Sequence, residues 1–139
     1  MSIQQISVFL ENKKGRLAEV TELLSGSGIN IRALALADTT DFGVLRMIVN
    51  DYKKCQDILK KHGFIVRLTD VIGVEVEDRP GGLNRVMQLF NSNNVNIEYM
   101  YAFVEKKKDN AVVVFRIDDM EKAKKVLKEN KINIFSAEL

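Results

Sequence analysis

Cysteine is almost missing from this sequence: Cys55 stands alone. A single thiol forms no intrachain disulfide and builds no Cys-rich zinc site. The absence of disulfides fits a reducing compartment, and the expected location is the cytoplasm. Histidine is as scarce. His62 is the only one, behind Lys60-Lys61 where a helix is expected to end. No nucleophile–His–acid set can be assembled around it, so it reads as a solvated residue and no catalytic residue is expected. An excess of one charge is lacking too. The 21 basic and 19 acidic residues leave a net charge of +2, without the basic surplus of a nucleic-acid-binding protein. No apolar run approaches the ~20 residues that span a bilayer. The opening Met1-Ser2-Ile3-Gln4-Gln5 lacks the basic segment and apolar stretch of a secretory signal. Neither nucleic acid nor membrane is therefore an expected partner. What remains is 46% hydrophobic and 29% charged, the material of an ordinary folded domain.

The sequence repeats itself. At an offset of 66 residues, Gly15 meets Gly81, and Ile6, Val8 and Leu10 meet Ile72, Val74 and Val76. Leu17, Val20 and Leu24 meet Leu83, Val86 and Phe90, and Ile29-Asn30-Ile31 meets Val95-Asn96-Ile97. Further on the offset becomes 68. Asp51 then meets Asp119, Cys55 meets Ala123, and Ile58-Leu59 meets Val126-Leu127. Apolar period, glycine position and helix starts agree together, which marks a duplication.

Each copy spells the same elements. Ile6, Val8 and Leu10 alternate as in a half-buried strand, and Leu17, Val20, Leu23 and Leu24 fall at helical spacing. Gly28 and Asn94 follow that helix, and both residue types tolerate the left-handed backbone that ends helices. A strand over 29–37 or 95–105 comes next. In the second copy Val95, Ile97, Tyr99, Tyr101 and Phe103 alternate strictly. A β-branched strand follows over 43–49 or 111–117. Asp51 and Asp119 are placed to cap a second helix, and a last strand, 64–70 or 132–138, closes the unit. The run Glu105-Lys106-Lys107-Lys108-Asp109-Asn110 reads as a solvated hairpin tip. The order βαββαβ, twice, predicts an α+β fold: a ferredoxin-like sandwich duplicated in tandem. The expected domains are residues 1–70 and 71–139, joined without a flexible linker. The expected core holds Val8, Leu17, Val20, Leu24, Ile58, Val74, Leu83, Val86, Phe90 and Val126.

Two features carry candidate binding chemistry. The turn between first strand and first helix reads Asp78-Arg79-Pro80-Gly81-Gly82-Leu83 in copy two and Asn12-Lys13-Lys14-Gly15-Arg16-Leu17 in copy one. Glycine there permits close approach to the backbone, and the free N–H groups of a helix start favour a carboxylate. The same glycines equally suit a tight turn alone. Asn30 and Asn96 each sit between β-branched residues at a strand start. Their amides can bind ammonium and carboxylate together, or bond their own backbone as turn residues.

The pattern Asp78-Arg79-Pro80-Gly81-Gly82-Leu83, then Asn94-Val95-Asn96-Ile97, inside a βαββαβ repeat, resembles ACT domains, regulatory modules of amino-acid metabolism. The resemblance covers nearly the whole chain. Copy two carries the Asp-x-Pro-Gly-x-Leu form intact. Copy one departs from it, with Asn12 for the aspartate and Lys14 for the proline. The resemblance implies a non-catalytic sensor binding an amino acid where the turn of one module meets the second strand of another. The implied ligand residues are Asp78, Pro80, Gly81, Gly82, Leu83 and Asn96, and in copy one Asn12, Gly15, Arg16, Leu17 and Asn30. Some such modules only associate, so an oligomerisation module without ligand is the alternative. A nucleic-acid-binding βαββαβ module is another, although neither third strand shows its Arg/Lys-Gly-Phe pattern.

Copy two is expected to hold the better site. Pro80 fixes the turn. Gly82 leaves the amides of Gly82 and Leu83 unshielded, where Arg16 covers the same spot in copy one. Asp78 adds a charge that Asn12 lacks. A side chain at position 82 is expected to block the ligand and leave the core intact. The amide mate is Asn30 if the repeats pair with each other, and Asn96 if like modules pair across a dimer. A homo-oligomer, foremost a dimer, is expected because a ~70-residue unit has little core of its own and because Tyr99, Tyr101 and Phe103 form an aromatic row. A metabolic enzyme under its control is the further expected partner. No metal and no cofactor are expected.

Overall fold

The computed structural model describes residues 3–38, 42–105 and 108–135. Residues 136–138 of the strand expected over 132–138 and the hairpin residues Lys106 and Lys107 lie outside them. The elements follow the order β1 Ile3–Glu11, α1 Arg16–Gly26, β2 Ile31–Asp38, β3 Phe42–Val49, α2 Tyr52–Lys61 and β4 Ile65–Glu77. Then come α3 Gly82–Ser92, β5 Ile97–Ala102, β6 Asn110–Ile117, α4 Met120–Glu129 and β7 Ile134–Phe135. The chain divides into two compact units, Gln4–Thr69 and the stretch from Asp70 onward, to which Ile3 belongs. Each is the α+β, ferredoxin-like βαββαβ arrangement.

In the N-terminal unit β3 lies antiparallel between β1 and β2, and the leading residues of β4 complete the unit. Its core joins Ile6, Val8 and Leu10 to Val20 and Leu24 of α1 and to Cys55 and Leu59 of α2, with Phe64 and Val66 behind. In the C-terminal unit β4 lies between β6 and β7, and β5 pairs with β6, all antiparallel. Ile72, Val74 and Val76 meet Val86 and Phe90 of α3 and Ala123 and Leu127 of α4. Phe90 meets Phe115 edge-on, centroids 5.5 Å apart. The matching pair in the first unit is Leu24 and Met47, so the second core is aromatic where the first is aliphatic.

Local chemistry explains the boundaries. The Asp51 carboxylate accepts from the Lys54 amide at 3.1 Å, and the Asp119 carboxylate from the Lys122 amide at 3.1 Å, each closing a free donor at a helix start. Gly28, φ 72°, and Asn94, φ 55°, turn the chain out of α1 and α3. Helices α1 and α3 begin at Arg16 and Gly82, with Pro80 in the turn itself rather than in the helix.

Two expectations need correction. Leu17 and Leu83 are each 38% exposed rather than core. They occupy the first helical turn, past the part of the helix that lies over the sheet; Leu17 stands at the sheet rim beside Leu10, Leu36 and Gly43. The alternation expected in the second copy holds in burial, with Ile97, Tyr99 and Tyr101 half-buried and Phe103 buried between exposed neighbours. A register shift between Ile97 and Tyr99 leaves Ile97 on the helix-covered core and sets Tyr99 and Tyr101 opposite Arg116 and Val114. Phe103 packs edge-on to Phe135 at 4.9 Å, so the aromatic row is not one exposed face. Finally, the apolar spacing places the first helix over residues 14–27, and α1 begins instead at Arg16, because Gly15 is its left-handed cap.

Candidate functional site

The strand-to-helix turn of the C-terminal unit is built by backbone geometry. Gly81 caps α3 at φ 91°, ψ −14°, a left-handed conformation that a side chain disfavours. The Arg79 amide donates to the Glu77 carbonyl at 2.9 Å and the Gly82 amide to the Arg79 carbonyl at 3.0 Å. The Asp78 amide donates to the Asp109 carbonyl at 3.1 Å, tying the turn to the β5–β6 hairpin. The amides of Leu83 and Asn84 come next, in the first turn, where the helix has no acceptor to offer. The Arg85 amide reaches the Gly81 carbonyl at 3.0 Å. The turn therefore presents the Leu83 and Asn84 donors, not those of Gly82 and Leu83 as the sequence suggested; the Gly82 amide is consumed in closing the turn.

Gly82 has a second role that the sequence hid. A Cβ at this position would run into the Glu77 carbonyl, and would lie 2.9 Å from its carbon. A side chain at 82 disturbs the turn itself, so it is not the clean ligand block expected of it.

Behind this turn lies a cleft of about 360 Å³. Pro80, Gly81 and Gly82 form one wall, Glu75 to Glu77 the floor, and Lys131, Ile132 and Asn133 the far side. Arg79, Arg85 and Asn110 stand at its edges, and Arg79 forms an ion pair with Glu77. Asp78 is not in the cleft; it is exposed and faces the hairpin side with Asp109. Sequence reasoning missed Arg85, Lys131 and Asn133. Their trace in the sequence is a change of residue type between aligned positions, Glu19 against Arg85 and Gly63 against Lys131.

The N-terminal turn has the same backbone and a different content. Gly15 caps α1 at φ 92°, ψ −16°, and the Arg16 amide reaches the Lys13 carbonyl at 3.4 Å. The Arg16 guanidinium lies 4.7 Å from the Phe64 ring centre and donates to Glu19 at 2.9 Å. A groove of about 60 Å³ lies on the β2–β3 side of this turn, beside Asn12, Lys13, Arg16, Leu17, Leu36 and Gly43.

The asparagines stand elsewhere. Asn30 follows α1, its amide donating to Asn50 Oδ1 at 3.0 Å and its carbonyl accepting from the Asn50 amide at 3.3 Å. Its exposed side chain borders an open depression with Thr21, Gly28 and Ile29. The Asn96 carbonyl accepts from the Asp118 amide at 3.4 Å, and its side chain is exposed. Each asparagine is separated from its own turn by an 11-residue helix, about 16 Å of rise. One ligand cannot touch turn and asparagine of the same module.

Among titratable groups, burial pushes the Cys55 thiol up to about 12, with the Asp51 carboxylate adding to the effect. Such a thiol stays protonated and is no nucleophile. Among the described residues no group of three His, Cys, Asp or Glu side chains is arranged to hold a metal ion, and no helix is long and apolar enough to cross a membrane.

Comparison with known proteins agrees with this architecture. A family model described as an ACT domain pair matches residues 1–138. Protein BT0572 from Bacteroides thetaiotaomicron is 44% identical, covers 99% of this chain and 94% of its own, and superposes with a TM-score of 0.92. The ligand-free regulatory subunit of aspartate kinase from Thermus thermophilus shares the fold, with a TM-score of 0.66, 15% identity and 91% of each chain covered. The acetolactate synthase small subunit of Buchnera aphidicola subsp. Baizongia pistaciae is 31% identical over 97 residues, 68% of this chain. That match spans 59% of the small subunit's length. The tandem ferredoxin-like units, the glycine-capped turn repeated in both and the match along the chain together make this protein a member of the ACT domain pair family.

Proposed function

We propose that the chain is a non-catalytic regulatory protein that senses an amino acid, with the turn of the C-terminal unit as its principal binding element. The observation that carries this reading is the turn capped by left-handed Gly81, whose closure by the Gly82 amide leaves the Leu83 and Asn84 amides at the start of α3, with a cleft of about 360 Å³ behind it. The Leu83 and Asn84 amides, at the positive end of α3, receive the ligand carboxylate. Asp78 receives its ammonium, and Pro80 and Gly81 hold the loop in place. Asn96 of a neighbouring copy completes the site, since a module's own Asn96 stands at the far end of α3. Asn12, Gly15, Arg16, Leu17 and Asn30 form the weaker counterpart.

A homo-oligomer, foremost a dimer, follows from this division of labour. The exposed Leu34, Leu36 and Phe42 on β2 and β3 support association, as apolar surface of that kind marks contacts. The relatives named as regulatory or small subunits support a metabolic enzyme as the regulated partner, in the cytoplasm. The same apolar residues favour a second reading, an association module without ligand.

A thermal-shift screen of the full chain against the twenty amino acids tests the proposal. A ligand at 100 times its Kd stabilises the fold by about 2.7 kcal/mol, a rise of several degrees for a chain of this size. No shift with any amino acid, together with a stable oligomer in sedimentation, would leave the second reading in its place.

A further inference from the structure

Several aligned positions around the cleft change between the repeats, among them Phe9, which becomes Glu75. In the first unit Arg16 fills the space over Phe64, and Glu19 neutralises it at 2.9 Å. In the second unit Gly82 replaces Arg16 and leaves the space open, with Ile132 in place of Phe64 as its wall. Arg85 replaces Glu19, reversing the charge. Lys131 replaces Gly63, adding another.

The change to Lys131 works against the backbone. Gly63 has φ 85°, and Lys131 keeps that left-handed conformation at φ 56°. Glycine suits this conformation better than lysine, so the side chain is held there at a cost in backbone strain. Neither new cation has a carboxylate partner among the described residues. Arg85 makes one side-chain bond, to the Asn130 carbonyl at 3.3 Å, while Glu77 is engaged by Arg79 and Glu75 has interactions of its own.

We infer that the cleft takes the second acid group of a compact dicarboxylate, most simply an amino acid with an acidic side chain. This rests on reading the second turn as a ligand site. One carboxylate meets the start of α3; the other enters the cleft between Arg85 and Lys131. Its volume has room for roughly ten water-sized groups, and a planar guanidinium suits a carboxylate well. Arg85 and Lys131 then set specificity, as Arg16 and Glu19 close the first site to any such ligand.

Titration calorimetry on the full chain separates the possibilities, with L-aspartate, L-glutamate and succinate set against L-valine and L-lysine. The acidic probes bind and the others do not. Lys131→Gly copies the first repeat, so it keeps or raises the melting temperature, yet it weakens the best acidic probe about tenfold. Arg85→Glu, at an exposed site, abolishes that binding. Tighter binding of L-valine or L-lysine would overturn the dicarboxylate assignment and leave the ligand reading of the turn intact. An acidic probe that bound both variants with unchanged affinity would overturn the roles of Arg85 and Lys131. No binding by any probe, joined to no thermal shift with any amino acid, would overturn both.

Discussion

The two strand-to-helix turns have nearly the same backbone and opposite contents. Gly15 and Gly81 differ by 1° in φ and 2° in ψ, yet one turn is packed by its own arginine and the other faces a cleft. The shared part is what the fold demands: a left-handed cap, a closed turn and a helix start over the sheet. The differing part lies in a few side chains that touch little of the core. Duplication keeps the scaffold in both copies and frees those side chains to diverge, so the first repeat serves as an internal reference for the second.

The sharpest way to break this comparison is in the cores. Phe90→Ala removes one half of an edge-on aromatic pair buried to 1% exposure and should cost about 4 kcal/mol, against about 3 for Leu24→Ala. Equilibrium denaturation checks both; equal losses would mean that the aromatic pair adds nothing. The turns come next. Gly82→Val forces a side chain into the Glu77 carbonyl and should cost about 3 kcal/mol. At the aligned position Arg16→Val forfeits only surface packing and should cost less than about 1 kcal/mol. If denaturation curves gave the reverse order, the crowding at Gly82 would be refuted.

Smaller effects test what the repeats share. Asp51→Ala and Asp119→Ala each remove a cap bond of 3.1 Å. Each should lower stability by about 1 kcal/mol, and by similar amounts. The smallest effect belongs to Cys55, whose counterpart is Ala123. Its folded pKa is raised from 9.0 to about 12, so the unfolded chain releases this proton first. The thiol leaves stability untouched well below pH 9 and erodes it as pH climbs through 9 toward 12. At pH 9.5 the loss is about 0.8 kcal/mol. Stability of Cys55→Ala should lack this component, and identical profiles for the two proteins would show that the thiol is not held protonated.

Much of this was legible in the sequence. The period of the apolar residues and the aspartate caps gave the element order, and the repeat gave the two units. Periodicity could not reveal the register shift after Ile97, because a bulge depends on the partner strand β6 and leaves alternation in the sequence unchanged. Nor could it show that Leu17 and Leu83 lie at the rim, since helical spacing fixes a face but not where the sheet beneath it ends. The turn was visible as a motif, but which amides it consumes depends on the backbone path from Glu77 to Gly82. Arg85 and Lys131 carry no motif at all; only a cleft that joins α3 to the α4–β7 loop makes them neighbours.

The central claim is that the second turn is the principal binding element and the first the weaker one. Amide hydrogen exchange, with and without the amino acid giving the largest thermal shift, tests it most directly. Exchange should slow more at Leu83 and Asn84 than at Leu17 and Ala18. Slowing at Leu17 and Ala18 without any at Leu83 and Asn84 would contradict the account.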